Sequence, residues 1–228
     1  LVPTPLQRRR NSPIIMAAMR NALSPLCLLL AACAAIDSTP QVVESRPVAP
    51  FDAIELSGNA DLHVQVGAPL GLTVRAPADA VGALSTEVRD GTLYVNWVRP
   101  EDASWWVSTD VTVTVPALAE VRVMDSADAR LVGLAGGELH LWQGGSGDVD
   151  VSGWVDRLEA ELSGSGDLHC GQLAARAAKV QLSGSGDAVV RADEEVDVEV
   201  TGTGDIDLRG NPAVARQIRY TSNGVEKP

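Results

Sequence analysis

Gly145-Ser146-Gly147-Asp148-Val149-Asp150-Val151 decides the fold, because the same phrase returns three times further along the chain. The returns are Gly164-Ser165-Gly166-Asp167-Leu168-His169-Cys170, Gly184-Ser185-Gly186-Asp187-Ala188-Val189-Val190 and Gly202-Thr203-Gly204-Asp205-Ile206-Asp207-Leu208. Their aspartates stand 19, 20 and 18 residues apart. Working outward, Ser126-Ala127-Asp128-Ala129-Arg130-Leu131 is a degenerate copy 20 residues before Asp148, and Thr221-Ser222-Asn223-Gly224 opens a truncated one. A further copy, Ser57-Gly58-Asn59-Ala60-Asp61-Leu62-His63-Val64, lies well upstream. Self-similarity at a fixed short period marks a repeat architecture.

Alternation flanks each copy. Ala160 and Leu162, Val180 and Leu182, and Val198 and Val200 precede the motif with period two, and Val149 and Val151, Leu168 and Cys170, Ala188 and Val190, and Ile206 and Leu208 follow it. Period two is the period of a strand with one buried face. Each repeat is therefore strand, Gly-rich corner, strand, the glycines permitting positive φ or close backbone approach. One such unit cannot bury its own apolar face, so units must stack. The expectation is an all-β chain, a right-handed parallel β-helix or solenoid with Gly-Ser-Gly-Asp corners and about 19 residues per coil. A sandwich or barrel of hairpins is the competing all-β reading. Residues 51–116 are less regular, with strands expected at 72–75, 91–96 and 111–115, and form the N-terminal β half, a cap being one role for them. Residues 117–226 carry the solenoid repeats.

The N-terminal part reads as targeting sequence. From Met19 a basic start, an apolar stretch and small residues follow one another up to Cys33, the layout of a secretory signal. The apolar run is shorter than the roughly 20 residues a membrane helix needs. Leu30-Ala31-Ala32-Cys33 resembles the bacterial lipobox, which makes Cys33 the expected lipidation site and residues 19–33 a lipoprotein signal peptide; ordinary cleavage near Ala35 is the alternative. Ala34 rather than Asp after the cysteine implies, by the same resemblance, an outer-membrane destination in a Gram-negative cell. Residues 1–18 read as upstream sequence or a misassigned start, and 34–50, with Pro40, Pro47 and Pro50, as an extended tether. All thirty acidic residues but only fourteen of the eighteen basic ones lie after Cys33, a balance of −16. Such a surface excludes nucleic acid as a partner and disfavours anionic headgroups, leaving the lipid anchor as the membrane contact.

Several stretches together resemble one family, the auto-transporter adhesins with a head GIN domain. The resemblance is carried by Phe51-Asp52-Ala53-Ile54-Glu55-Leu56-Ser57-Gly58, Val88-Arg89-Asp90-Gly91-Thr92-Leu93, Val113-Thr114-Val115-Pro116-Ala117-Leu118 and the Gly-Ser-Gly-Asp series. It implies one head GIN-like domain over 51–226, a β-helix-like fold and an envelope location, and it brings no catalytic residues.

Candidate chemistry is sparse. In-register stacking would place Asp148, Asp167, Asp187 and Asp205 in one column of like charge, with Asp150 and Asp207 in a second, outward one. Either bound Ca²⁺ relieves that column, since Gly144-Gly145-Ser146-Gly147-Asp148 partly matches a calcium-roll sequence, or each aspartate hydrogen-bonds its own turn. No other cofactor is expected. His63 and His169 share an outward place in Asp-Leu-His, with His140 on a different strand as their only plausible neighbour, and neither His-x-x-x-His nor Cys-x-x-Cys occurs. Cys170 alternates inward and reads as a core residue. Five tryptophans accompany one phenylalanine and two tyrosines. Trp105-Trp106, in an irregular segment between strands, are the candidate ligand-binding residues, against a capping role; Trp97, Trp142 and Trp154 read as packing residues at coil edges. The expected function is a non-enzymatic envelope module binding a glycan or protein, or serving a structural role. The alternatives are a polysaccharide lyase or hydrolase on a β-helix and a calcium-stabilised spacer.

Overall fold

Alternation of apolar and polar residues produces strands wherever the motif copies occur. The computed structural model describes residues 40–97, 109–221 and 224–226, so Cys33 and the Trp105-Trp106 pair lie outside the described residues. Sixteen strands form one mixed sheet among these residues. They are β1 (Gln41–Ser45), β2 (Ala53–Ser57), β3 (Asp61–Val66), β4 (Gly71–Pro77), β5 (Leu84–Arg89), β6 (Thr92–Trp97), β7 (Asp110–Val115), β8 (Glu120–Val123), β9 (Ala129–Ala135), β10 (Glu138–Gln143), β11 (Val149–Leu162), β12 (Leu168–Leu182), β13 (Ala188–Val200), β14 (Ile206–Arg209), β15 (Val214–Thr221) and β16 (Gly224–Glu226).

Pairing runs in two columns that meet at the motif corners. Before the corner, β6, β2, β8, β10, the second halves of β11, β12 and β13, and then β15 pair in parallel. After it, β7, β3, β9, the first halves of β11, β12 and β13, and β14 do the same. Antiparallel pairs close the ends: β1 with β4, β4 with β7, β5 with β6, and β15 with β16. The all-β expectation is met, but the purely parallel solenoid is corrected to a mixed sheet. A two-residue hairpin lays β5 on β6, and β4 with β1 is added to β7 in antiparallel order, so both columns are covered at their first edge.

Two further corrections concern the N-terminal half. Residues 41–45, expected in the tether, form β1 on the edge of β4. Arg46 fixes this strand by donating to the carbonyls of Leu84 at 2.6 Å and Val81 at 2.9 Å and to Thr86 Oγ1 at 3.1 Å. The β2–β3 unit, first of the motif copies in sequence, is inserted in the middle of the stack: β2 lies between β6 and β8, and β3 between β7 and β9.

The core lies between the two columns. Rows such as Leu62, Ala129, Val149, Leu168 and Ala188 from one column face Val121, Leu141, Ala160, Val180 and Val198 from the other, all buried. Leu, Val and Ala dominate because stacked identical positions must pack side by side at the roughly 4.8 Å strand spacing. Cys170 sits in this core with no exposed surface, as expected.

The corner glycines act by close approach alone, since none of the Gly-x-Gly residues from 145 to 204 has positive φ. A methyl group on Gly166 would overlap the carbonyl oxygen of Gly147, and one on Gly184 that of Gly164. Gly166→Ala is therefore expected to lower stability by about 2–3 kcal/mol, the usual cost of forced overpacking. Gly82→Ala, with open space around it, should change stability by less than about 0.5 kcal/mol. Urea unfolding of both variants measures the contrast.

Candidate functional site

At the corner, each carboxylate reaches the next coil. Asp148 N–H donates to Asp128 Oδ1 at 2.8 Å, Asp167 N–H to Asp148 Oδ1 at 2.8 Å, Asp187 N–H to Asp167 Oδ1 at 2.7 Å and Asp205 N–H to Asp187 Oδ1 at 2.7 Å. Asp128 N–H likewise serves the Asp61 carboxylate, so the upstream copy joins the same ladder. The expected bond within each aspartate's own turn is thus replaced by one between coils. The reason is direction: a carboxylate following Gly-x-Gly points along the stack, where the next corner offers an amide that has no strand partner. Among the described residues, no group of three or more His, Cys, Asp or Glu side chains is placed to share a metal ion.

The ladder borders an open groove of about 690 Å³ on the outer face of the column after the corner. Its central row, set by the strand register, reads Thr112, His63, Arg130, Asp150, His169, Val189 and Asp207 across β7, β3, β9, β11, β12, β13 and β14. His63 and His169 do share an outward place, but Arg130 and Asp150 stand between them. His140 lies in the other column, 3.3 Å from Glu159, and neighbours neither. Asp150 lies 3.6 Å from His169, and Asp207 lies 3.2 Å from Arg209; in the row, His169 and Val189 stand between the two aspartates, so the expected second column of like charge is not continuous. Arg130 makes no hydrogen bond or ion pair among the described residues, leaving its fork of donors open to the groove.

The outer face before the corner is electrostatically alternating. Glu120, His140, Glu159, Lys179, Asp197 and Arg216 occupy one row. Opposite charges on adjacent strands stabilise such a face.

Two groups limit the chemistry. Burial first, and then Asp150, pushes the Cys170 thiol up to about 12, so no thiolate nucleophile forms there at neutral pH. Sequence reasoning missed Trp154, expected to be a packing residue: its side chain is 50% exposed. Gly153, at φ +127°, sits at a register shift in β11, and Trp154 follows it on the outer face, between Gly153 and buried Val155.

The ladder generates a stability test. Burial, then the carboxylates of Asp128 and Asp110, raise the Asp61 carboxyl above its ordinary range. A raised folded-state pKa means that ionisation opposes folding as pH rises past the unfolded value. Asp61→Asn keeps an oxygen acceptor for Asp128 N–H, so it should melt higher than the parent at pH 7 and equally at pH 3. Asp167→Ala instead removes the acceptor for Asp187 N–H and should cost about 1–3 kcal/mol, with Asp167→Asn close to neutral. EDTA is expected to leave Tm unchanged; a fall of several degrees would place a cation in the column.

No curated protein matches the sequence. A crystal structure from Bacteroides fragilis NCTC 9343, described as "a putative adhesin", is 21% identical with a TM-score of 0.67, covering 80% of this chain and 94% of that one. Another, from Parabacteroides distasonis ATCC 8503 and described as "putative lipid binding protein", is 18% identical with a TM-score of 0.49, covering 78% and 92%. At these identities the first likeness concerns the fold, and the second carries no argument. The model of the family described as "Putative auto-transporter adhesin, head GIN domain" matches residues 50–212. The chain therefore belongs to that family.

Proposed function

We propose that this protein is a non-enzymatic cell-envelope lipoprotein, anchored through Cys33 in the outer membrane, whose β-solenoid domain binds a glycan or an envelope protein along its outer face. The observation that carries the reading is the groove beside the aspartate ladder. It is open and lined by side chains of both signs, and Arg130 within it has no partner among the described residues. Such a surface suits a polar chain laid across the strands more than an enclosed small molecule. Arg130 and Arg209 are outnumbered by Asp61, Asp128, Asp148 and Asp150 in the same groove. That balance disfavours an acidic polymer, the substrate a lyase of this architecture would take.

Membership in an adhesin family and the fold shared with a similarly described protein support the envelope role. Among the described residues no helix is long and apolar enough to cross a membrane. The anchor is assigned to Cys33 by its lipobox, and Trp105-Trp106 remain a second binding element proposed from sequence.

Saturable binding of the full-length protein to whole cells and to isolated envelope polysaccharide is the expected result. Arg130→Ala should weaken it by tenfold or more, and Trp105→Ala with Trp106→Ala tests the second element. Cys33→Ser should move the protein from the membrane pellet to the soluble fraction. Turnover of a uronate polymer by the purified protein would overturn the non-enzymatic assignment, and absence of binding in every arm would overturn the adhesive one.

A further inference from the structure

Among the described residues, Trp154 is the one aromatic side chain among the exposed large hydrophobic residues; the others are Val42, Val43 and Val214, on other strands. Its setting is built from small residues. Across the sheet it pairs with Ala135 on β9 and Ala174 on β12. Beneath it lies Gly136, where an added Cβ would stand 2.9 Å from Trp154 Cη2 and 3.4 Å from Cζ2 and Cζ3. The benzo ring therefore packs over bare backbone at Gly136, while half of the residue stays exposed. Gly153 makes this arrangement: its own Cβ would meet the Leu134 backbone, and its positive φ admits no ordinary side chain at low cost.

Polar groups of fixed geometry stand beside the ring. Asp156, two residues on, accepts Gly137 N–H at 3.1 Å and lies 3.4 Å from Arg176 Nη1. Arg176 also forms a fork with Glu194, both contacts being 3.1 Å. A flat aromatic surface edged by planar, pre-oriented donors and acceptors matches the two faces of a pyranose ring, apolar C–H groups on one side and hydroxyls around the rim. Ser152, on the same strand, lines the groove, so the ring stands at the end of the groove where β11 turns.

We infer that Trp154 is a sugar-stacking platform, taking one pyranose unit of a neutral glycan whose chain continues into the groove. This rests on the binding function proposed above and names its ligand class and anchor. Neutrality follows from charge: Asp156 and Glu194 outnumber Arg176, on a chain of net charge −12, so an acidic polymer would be repelled. A protein partner fits less well, since a lone aromatic among small residues lacks the cluster of anchors such interfaces use.

Affinity electrophoresis of the full-length protein through gels containing dextran, galactomannan, xylan or polygalacturonate tests the assignment. Retardation by at least one neutral polymer is expected. Trp154→Ala should weaken it by at least tenfold, Trp154→Phe should restore part of it, and Trp142→Ala on the opposite face should match the parent. Unchanged Tm and protection of Cys170 from alkylation confirm folding of each variant. Undiminished retardation of Trp154→Ala, or retardation by polygalacturonate alone, overturns the platform. So does loss of binding to an envelope protein, with no neutral polymer retarded, which would make Trp154 a protein contact. If cell binding persists while the platform fails, the general binding function survives; if the parent binds neither cells nor any polymer, both fall.

Discussion

Successive corners touch backbone to backbone, and nearly everything else in the domain is a consequence of that contact. The carbonyl oxygens of Gly145, Gly147, Gly164 and Gly166 occupy the space where the next coil's glycine would carry a side chain. Amides between them close onto the neighbouring coil, as with Ser165 N–H to Gly145 O and Ser185 N–H to Gly164 O, both 2.9 Å. A contact this tight tolerates no sliding, so it sets the register of both strands leaving the corner. Strand side chains have period two, and a slip of one residue would exchange core for surface along the whole coil. The Gly-x-Gly pair is thus the register lock of the sheet, and the aspartate after it secures the lock by accepting the next coil's amide.

The lock also organises the surface electrostatics. Because coils are in register, side chains of equivalent position form rows, and an acidic protein must arrange those rows to avoid stacking like charges. Glu120, His140, Glu159, Lys179, Asp197 and Arg216 alternate, and Asp150 faces His169 within the groove. The corner column is the exception, being aspartate in coil after coil. There each carboxylate of Asp128, Asp148, Asp167 and Asp187 accepts a backbone N–H, which ties neighbouring corners together. Repulsion along the column is screened by water, since these bonds lie on the exposed edge.

Much of this was legible in the sequence because it is local and repeated. Alternation around Leu162, Leu182 and Val200 placed the strands, the 18–20-residue spacing placed the corners, and Cys170 fell inward as its parity required. What escaped depends on choices among equivalent partners. The copy at Ser57-Gly58 could have stacked at an end of the series; it stands instead between β6–β7 and β8–β9, where Gly58 N–H meets Asp125 Oδ2 at 2.9 Å. This copy differs from the Gly-Ser-Gly-Asp copies at its corner, with Ala60 in place of the second glycine and Gly58 at φ +109° against Trp97, a contact that its local sequence does not announce. Residues 41–45 looked like linker because their prolines lie just outside them, and only the free edge of β4 makes them a strand. Trp154 escaped because a large apolar ring was taken as packing, whereas parity running from buried Val149 and Val151 to buried Val155 puts it on the outer face.

The interior leaves no room for function, and that determines where specificity can reside. Stacked Leu, Val and Ala fill the space between the columns, and the one nucleophile there, Cys170, is both sealed from solvent and held protonated. Recognition must then use outward side chains, whose spacing along a row the sheet fixes near 4.8 Å. Rows of this kind are rigid rulers, so the binding proposed above would depend on matching repeated spacing as much as on any single contact. Irregularities in the ruler carry the most information, because a regular lattice presents the same pattern at every coil and cannot define a register for its ligand. The bulge at Gly153 is such an irregularity: it interrupts the row pairing within β11 and leaves an exposed indole two residues from Asp156 and its ion pair with Arg176.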